Sequence, residues 1–294
     1  MSKSLTRDVK EAALKLGADL VGIASVDRFF DAPPEHDPKR ALPETRTLIS
    51  VAIRHLRGVQ FTQKRLRDNY PYQIFGYGWL SHIRINTLLF ELARVLEDRG
   101  YIALPYPSFC DADPTKGHED PKPAASPAMA TVSNRHAAVA AGIAQFGLCN
   151  LAMTEEFGTC QRFGTIMTSA PLEPDPMIAK PLCNNCGKCV EACPSRAIGS
   201  EPEVSFQIGD QTINIAALKR PRCYWYHFGL SKKTYGVLDI DEPEEITREI
   251  FEQNLCDALA KSRYMRDRYQ KTFAPAGYCG MCLLSCPMGK YKLK

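Results

Sequence analysis

The 294-residue chain has no long apolar run. Nothing in it approaches the roughly 18–20 apolar residues that a membrane-spanning helix needs. Its start, Met1-Ser2-Lys3-Ser4-Leu5-Thr6-Arg7, carries neither an apolar signal core nor an arginine pair and leads straight into an amphipathic pattern. That predicts a cytoplasmic protein with no membrane partner. The chain also lacks strong charge of one sign. Lys plus Arg number 37 and Asp plus Glu 33, so the net charge of +4 is too mild to argue for nucleic-acid binding. No G-x-G-x-x-G follows a strand pattern, which removes the signal of a nicotinamide Rossmann site.

What the chain has in plenty is cysteine, 12 in all, with 45% hydrophobic and 24% charged residues, enough for a folded core. In a reducing cytoplasm that many cysteines point to metal or redox chemistry rather than disulfides.

The first half alternates helix and strand signals. Leu5–Leu16 reads as a helix stopped by Gly17, and Ala18–Ala24 as a strand. A Pro- and charge-rich loop covers Phe29–Thr45, and a second strand covers Leu48–Ile53. A helix is expected over His82–Arg99, then a strand at Tyr101–Leu104. Residues 105–130 read as a long irregular loop of the kind that serves as a lid or binding segment. Asn134–Ala144 reads as a helix; Leu148–Met153 and Phe163–Thr168 read as strands around the Glu155-Glu156-Phe157-Gly158 turn. A Pro-rich linker, Pro171–Pro181, leads into a cysteine-rich second half with a hairpin (Val204–Ile208, Gly209-Asp210, Gln211–Ile215) and a helix near Glu244–Ser262. The boundary predicts two domains, 1–175 and 176–294.

Cys183-x2-Cys186-x2-Cys189-x3-Cys193-Pro194 is the run of bacterial-type ferredoxins, whose first three thiolates hold one [4Fe–4S] cluster while the fourth joins the other. Cys279-x2-Cys282-x3-Cys286-Pro287 repeats the last three positions. Two such clusters need eight thiolates, and the runs supply seven. By the same logic Cys286 crosses over to Cys183, Cys186 and Cys189. Cys193, Cys279 and Cys282 then need one ligand from outside. Cys223, after the strand-to-loop passage Leu218–Arg222, is the candidate. Cys256, flanked by Ile250 and Leu255, reads as a packed core thiol. Two clusters in series make a one-electron wire, and a wire implies a redox centre at its end.

The segment Arg135–Gly158, with Arg162–Thr168 and Pro171-Leu172, resembles the cobalamin-binding segment of epoxyqueuosine reductases and reductive dehalogenases: helix, A-G-x-x-x-x-G, strand, E-F-G turn, strand, T-x-x-P-L. The resemblance runs from the first strand to Cys286. It implies an α+β architecture in which a nitroreductase-like cobalamin-binding α/β domain precedes a bacterial ferredoxin-like domain with two [4Fe–4S] clusters. It implies base-off cobalamin, in keeping with the lack of any Asp-x-His-x-x-Gly run. Gly142 and Gly147 would let the chain approach the corrin. Leu148, Cys149, Asn150, Phe157, Gly158, Phe163 and Gly164 would shape its cavity. The family's outside ligand sits in an R-C segment like Arg222-Cys223. The implied activity is an oxidoreductase that passes electrons through the clusters to cobalamin and reduces a small-molecule carbon–halogen or carbon–oxygen bond, with a ferredoxin or flavodoxin-type donor.

The chain departs from the family at three places. The acid that serves epoxyqueuosine reductases as proton donor falls on Ala128 or Met129, and their Lys-Asn after the second glycine is Leu148-Cys149. The chain stops eight residues after Cys286, without their tRNA-gripping tail, so tRNA is not expected as a partner. The proton donor is then sought among Tyr106, Cys110, Asp111, His118 and Asp120, with Tyr106 and Asp111 the leading candidates. Arg135 would lower a tyrosine's pKa or anchor a substrate carboxylate. Tyr224-Trp225-Tyr226-His227 would wall the space between cluster and corrin, Cys149 and Cys160 being small buried hydrophobes there. Two other readings remain open: an electron carrier that reduces a partner's corrinoid, and a flavin-holding oxidoreductase.

Overall fold

The computed structural model describes residues 2–66, 70–106, 132–231, 240–261 and 279–291. Its centre is a four-stranded antiparallel sheet in the order β1 (Leu20–Ser25), β2 (Thr47–Arg54), β6 (Gln161–Thr168), β3 (Ala103–Tyr106). Nearly all of β2 is buried. Successive residues point to opposite faces, so a strand covered on both sides reads as an unbroken apolar run. On one face Ile23, Ile49, Val51 and Ile166 meet Val9 and Ala13 of the Ser2–Lys15 helix. Ile85, Leu88, Leu89, Leu92 and Leu96 of the Ile85–Glu97 helix complete that layer at three- and four-residue spacing. Gly164 permits the approach: a Cβ there would lie 2.5 Å from Ile85 Cγ2 and 2.9 Å from Leu89 Cδ1.

On the other face Ala24, Leu48, Ala52, Phe163 and Met167 pack under the Asn134–Ala140 helix. Ser133 caps that helix, its hydroxyl accepting from His136 N at 3.4 Å. The helix ends four residues short of the expected Ala144, because Gly142 turns out of it at φ +71°. Ile208 and Ile215 join this same core from the hairpin β7 (Ile198–Ile208) and β8 (Gln211–Leu218). The hairpin turns at Gly209 (φ +56°), as its sequence suggests, and extends further on both arms.

Other elements differ from expectation. The predicted strand Leu148–Met153 is reduced to β5 (Ala152–Met153), paired with β4 (Gln145–Phe146). The His82–Arg99 helix is regular from Ile85 to Glu97 and is preceded by wide-turn helix over Tyr72–Gly78 and Leu80–Arg84. The late helix runs Arg248–Lys261, packing Phe251 and Ala258 against Trp225, Tyr226 and Leu230. Cys256 falls on the outer side of that helix and is exposed, which corrects its reading as a core thiol. No described helix is long and apolar enough to cross a membrane.

Candidate functional site

The chain enters the first cysteine run anchored by two contacts of one side-chain amide. Gln145 donates to Ile178 O at 2.6 Å and accepts from Leu182 N at 2.9 Å, fixing the linker to β4. The run then winds through Asn185 (φ +53°) and Gly187 (φ +72°) into the short Lys188–Glu191 helix, which packs against the Met281–Ser285 helix. The pairing carries Cys286 over to the first run. Cys183, Cys186, Cys189 and Cys286 line one cavity together with Gly147, Leu148, Cys149, Met153 and Met288. Cys186 is exposed and the other three are half-buried.

The remaining four thiols, Cys193, Cys223, Cys279 and Cys282, are half-buried. Cys193 receives Ala197 N at 3.3 Å. Cys223 sits on the Arg220–His227 helix rather than in a strand-to-loop passage. Burial pushes its thiol up to about 12, with Cys279 and Cys193 as charged neighbours adding to the rise. Burial likewise raises Cys279 to about 11 and raises Cys282, which feels Cys223, Cys279 and Cys193. Cys193 is thus a neighbour of Cys223, Cys279 and Cys282, and Cys282 also feels Cys189 of the first group. Two contacts hold the second run against the α/β half: Gln63 Nε2 donates to Cys279 O at 3.0 Å, and Thr159 Oγ1 donates to Leu283 O at 2.6 Å.

Beside this quartet is a wall of rings and guanidinium groups. Arg135 donates to the Asn150 carbonyl and, at 3.3 Å, to Asn150 Oδ1; Asn150 itself is left-handed at φ +61°. Burial lowers the Arg135 pKa, and the neighbouring Arg220 lowers it further. Both cations pull Cys223 toward the thiolate. Arg162 donates to Tyr72 OH at 2.8 Å and lies 4.2 Å over Tyr77, which meets His227 edge-on at 5.6 Å. Burial drives His227 down to about 3, so it is neutral at pH 7. Tyr77, His227, Tyr224, Arg135 and Arg162 are each half-buried. Tyr77 and Gln63 carried no recognisable signal in the sequence, lying outside every motif.

The glycines expected at the corrin face protein. A Cβ on Gly142 would stand 2.1 Å from Pro176 O, one on Gly158 2.0 Å from Met288 O, and one on Gly147 2.6 Å from Met153 Sδ. Phe157 is buried edge-on to Tyr291 at 5.7 Å, and Phe163 lies in the core beneath the sheet. Leu148 and Cys149 are buried among Cys183, Cys189, Cys193 and Cys282. Cys160 is buried with Leu283 and Leu284. Tyr106 requires a correction: it ends β3 opposite Thr165 and is buried with Leu48 and Phe163, because it continues the strand alternation instead of starting the loop. Asp111, Cys110, His118, Asp120, Ala128 and Met129 lie outside the described residues.

The donor set fits iron–sulfur chemistry. It is all thiolate, the soft ligand class that selects such clusters or zinc. Among the described residues no three His, Cys, Asp or Glu side chains converge on one point as ligands of a single ion do. The first four thiols instead ring a cavity, as a cubane with its irons at separate corners requires.

A 4Fe-4S binding domain family matches residues 178–199. An epoxyqueuosine reductase of Prochlorococcus marinus (strain NATL2A) is 25% identical over 228 residues, covering 67% of this chain and 64% of that protein. A solved epoxyqueuosine reductase with an epoxyqueuosine-modified tRNA stem loop superposes at a TM-score of 0.54 and 17% identity, over 98% of this chain and 66% of that one. A reductive dehalogenase, described as pointing to a mechanism for B12-dependent dehalogenation, gives 0.56 and 16% over 100% and 38%. The chain thus spans under two thirds of the length of these relatives. The resemblance read from the cysteines and residues 135–172 stands, as does the fold: mixed helix and strand followed by a ferredoxin-like iron–sulfur unit. The expectation that tRNA is not a partner is overturned, because relatives of this fold include one solved on a tRNA stem loop. A small net charge was a poor criterion, since local charge and shape, not the whole-chain sum, set affinity for RNA.

Proposed function

We propose that this chain is an iron–sulfur oxidoreductase that holds two [4Fe–4S] clusters and base-off cobalamin and reduces a carbon–oxygen or carbon–halogen bond. The observation that supports the reading is that Cys286 lines one cavity with Cys183, Cys186 and Cys189, while Cys193 stands beside Cys223 and Cys279. We assign Cys183, Cys186, Cys189 and Cys286 to an outer cluster, and Cys193, Cys223, Cys279 and Cys282 to an inner one. Residues 1–175 would form the cobalamin-binding part and 176–294 the electron-supplying part. When bound, these groups would supply one-electron transfer and a reduced cobalt centre.

The protein's own contributions follow from the site. Exposed Cys186 marks the edge at which an external donor hands in electrons. Arg135 and Arg220 place positive charge beside Cys223 and favour added negative charge there. Arg135, pinned by Asn150, is positioned to keep that charge fixed. Tyr77, Tyr224 and neutral His227 would pack a ring wall beside the inner quartet, and His227 would donate no proton as an imidazolium.

The test is iron and cobalt content with EPR on protein prepared anaerobically and supplied with cobalamin. The reading expects about eight irons and about one cobalt per chain, with a base-off Co(II) signal. Eight irons with no cobalt retained would remove the corrinoid part. Four irons or fewer in fully reconstituted protein would remove the two-cluster assignment.

A further inference from the structure

Gln63 lies outside every motif, yet its side chain reaches the second cysteine run. It is 2% exposed, in the wide-turn segment Thr62–Leu66, and its Nε2 donates to Cys279 O at 3.0 Å across 216 positions. The fit around that peptide is close. Gly280 is left-handed at φ +63°, and a Cβ there would stand 2.9 Å from Gln63 Nε2 and 3.1 Å from Tyr72 Cε1 and Cζ. A glycine at this point lets the amide and the ring close onto the backbone. Tyr72 is itself 2% exposed and is held by Arg162 Nη2, which donates to its hydroxyl at 2.8 Å. The next carbonyl, Gly280 O, accepts from Leu284 N at 3.1 Å. Two successive carbonyls are therefore held, one by the short helix that follows and one by a side chain of the α/β half.

The effect of such a contact follows from general chemistry. A peptide is planar and trans, so fixing its C=O also fixes the direction of the N–H behind it. An amide donor also draws negative charge from the carbonyl it binds. At a ligand residue this makes the site more favourable to an added electron. Hydrogen bonding around the ligands is among the levers that set a cluster's reduction potential.

We infer that Gln63 is a positioning residue for the inner cluster: it holds the Cys279–Gly280 peptide, fixes Cys279 as a ligand and raises the reduction potential of that cluster without touching the outer one. This rests on the iron–sulfur reading above and goes beyond it, since Gln63 ligates no iron. Its consequence is that the inner potential is set partly from the first half of the chain.

The experiment is an EPR-monitored redox titration of the holoprotein with Gln63→Met and Gln60→Met, with iron counted in each sample. Met keeps the length and bulk of Gln and removes the donor. Gln60 is the matched comparison: it is also 2% exposed, lies about one turn earlier, and its Nε2 donates to His55 O at 3.2 Å. The inner couple is identified as the one missing from Cys282→Ala. In Gln63→Met that couple alone is expected to move to more negative potential, by about tenfold in its reduction equilibrium, or about 59 mV for one electron. In Gln60→Met both couples stay at the parent values. Loss of the inner signal in Gln63→Met, with full iron in Gln60→Met, also supports the inference. Unchanged couples in iron-replete Gln63→Met overturn it. A shift of both couples, or the same shift or iron loss in Gln60→Met, overturns it too and reduces Gln63 to a packing element. Failure of the parent protein to hold iron would sink the iron–sulfur reading, a result told apart by the parent's own count.

Discussion

The two thiol quartets are made of the same residue type and differ in everything around them. The outer one opens to solvent at Cys186, and the neighbouring Cys149 holds Cys189 down at about 6. In the inner one no thiol is fully exposed, burial raises Cys223 to about 12 and Cys279 to about 11, and Arg135 and Arg220 stand nearby. Sequence spacing alone makes them near copies. Environment makes one quartet reachable from solvent at Cys186 and leaves no fully exposed thiol in the other.

The strongest way to break this comparison is to remove one ligand from each quartet within the same short run. Cys282→Ala and Cys286→Ala are four positions apart. Each is expected to lose about four of about eight irons, but a different EPR signal should vanish in each. Loss of the same signal in both would end the crossover. Next in size is Cys223→Ala, expected to strip one to about four irons from the inner cluster alone, while exposed Cys256→Ala leaves the iron count unchanged.

The iron-free protein gives a third test. A folded pKa near 6 leaves Cys189 roughly nine-tenths thiolate at pH 7, whereas Cys223 stays a thiol up to about 12. Alkylation at pH 7, mapped by mass spectrometry, should mark Cys189 well before Cys223, and the preference should fade as pH falls through 6. The same lowered pKa is stability present above the ordinary thiol pKa and lost as pH drops through 6. Labelling of Cys223 first would reverse the comparison. A smaller effect is expected of Arg135→Leu, which removes the donor from Asn150 and the charge beside Cys223. It should cost about 1–3 kcal/mol of stability in denaturant titration and move the inner couple negative, leaving the outer one in place. Smallest of all, Lys290→Ala breaks an exposed pair with Glu155 and should leave melting temperature and iron content unaltered.

The two cysteine runs were legible before any coordinates because their spacing is a local, covalent property. The sheet was legible for the same reason: alternation and apolar runs at Leu48–Ile53 and Phe163–Thr168 are local. What spacing could not reveal is set by distant contacts. Cys149 meets a thiol 40 residues away, and Tyr77 meets His227 across 150. Gly142 and Gly158 carry the family's pattern, but the atoms that demand glycine there are the carbonyls of Pro176 and Met288. Cys256 misled because its apolar neighbours in sequence face a core that it turns away from.

The crossing of Cys286 onto the first run has a consequence for biosynthesis. Cys183 and Cys286 stand 103 positions apart, and the inner quartet likewise waits for Cys279 and Cys282. With ligands so distributed, a nascent chain that has displayed all of its first run still owns no complete site of either kind. Iron delivered early would meet three-thiol stumps. The Met288–Tyr291 stretch then seals against the Glu155–Gly158 turn, through Lys290 N to Glu155 O at 3.2 Å and Tyr291 N to Glu156 O at 2.7 Å. On the proposed two-cluster assignment, metallation of both sites would be tied to the arrival of one late segment, and a chain interrupted before residue 279 would lack a full ligand set for either.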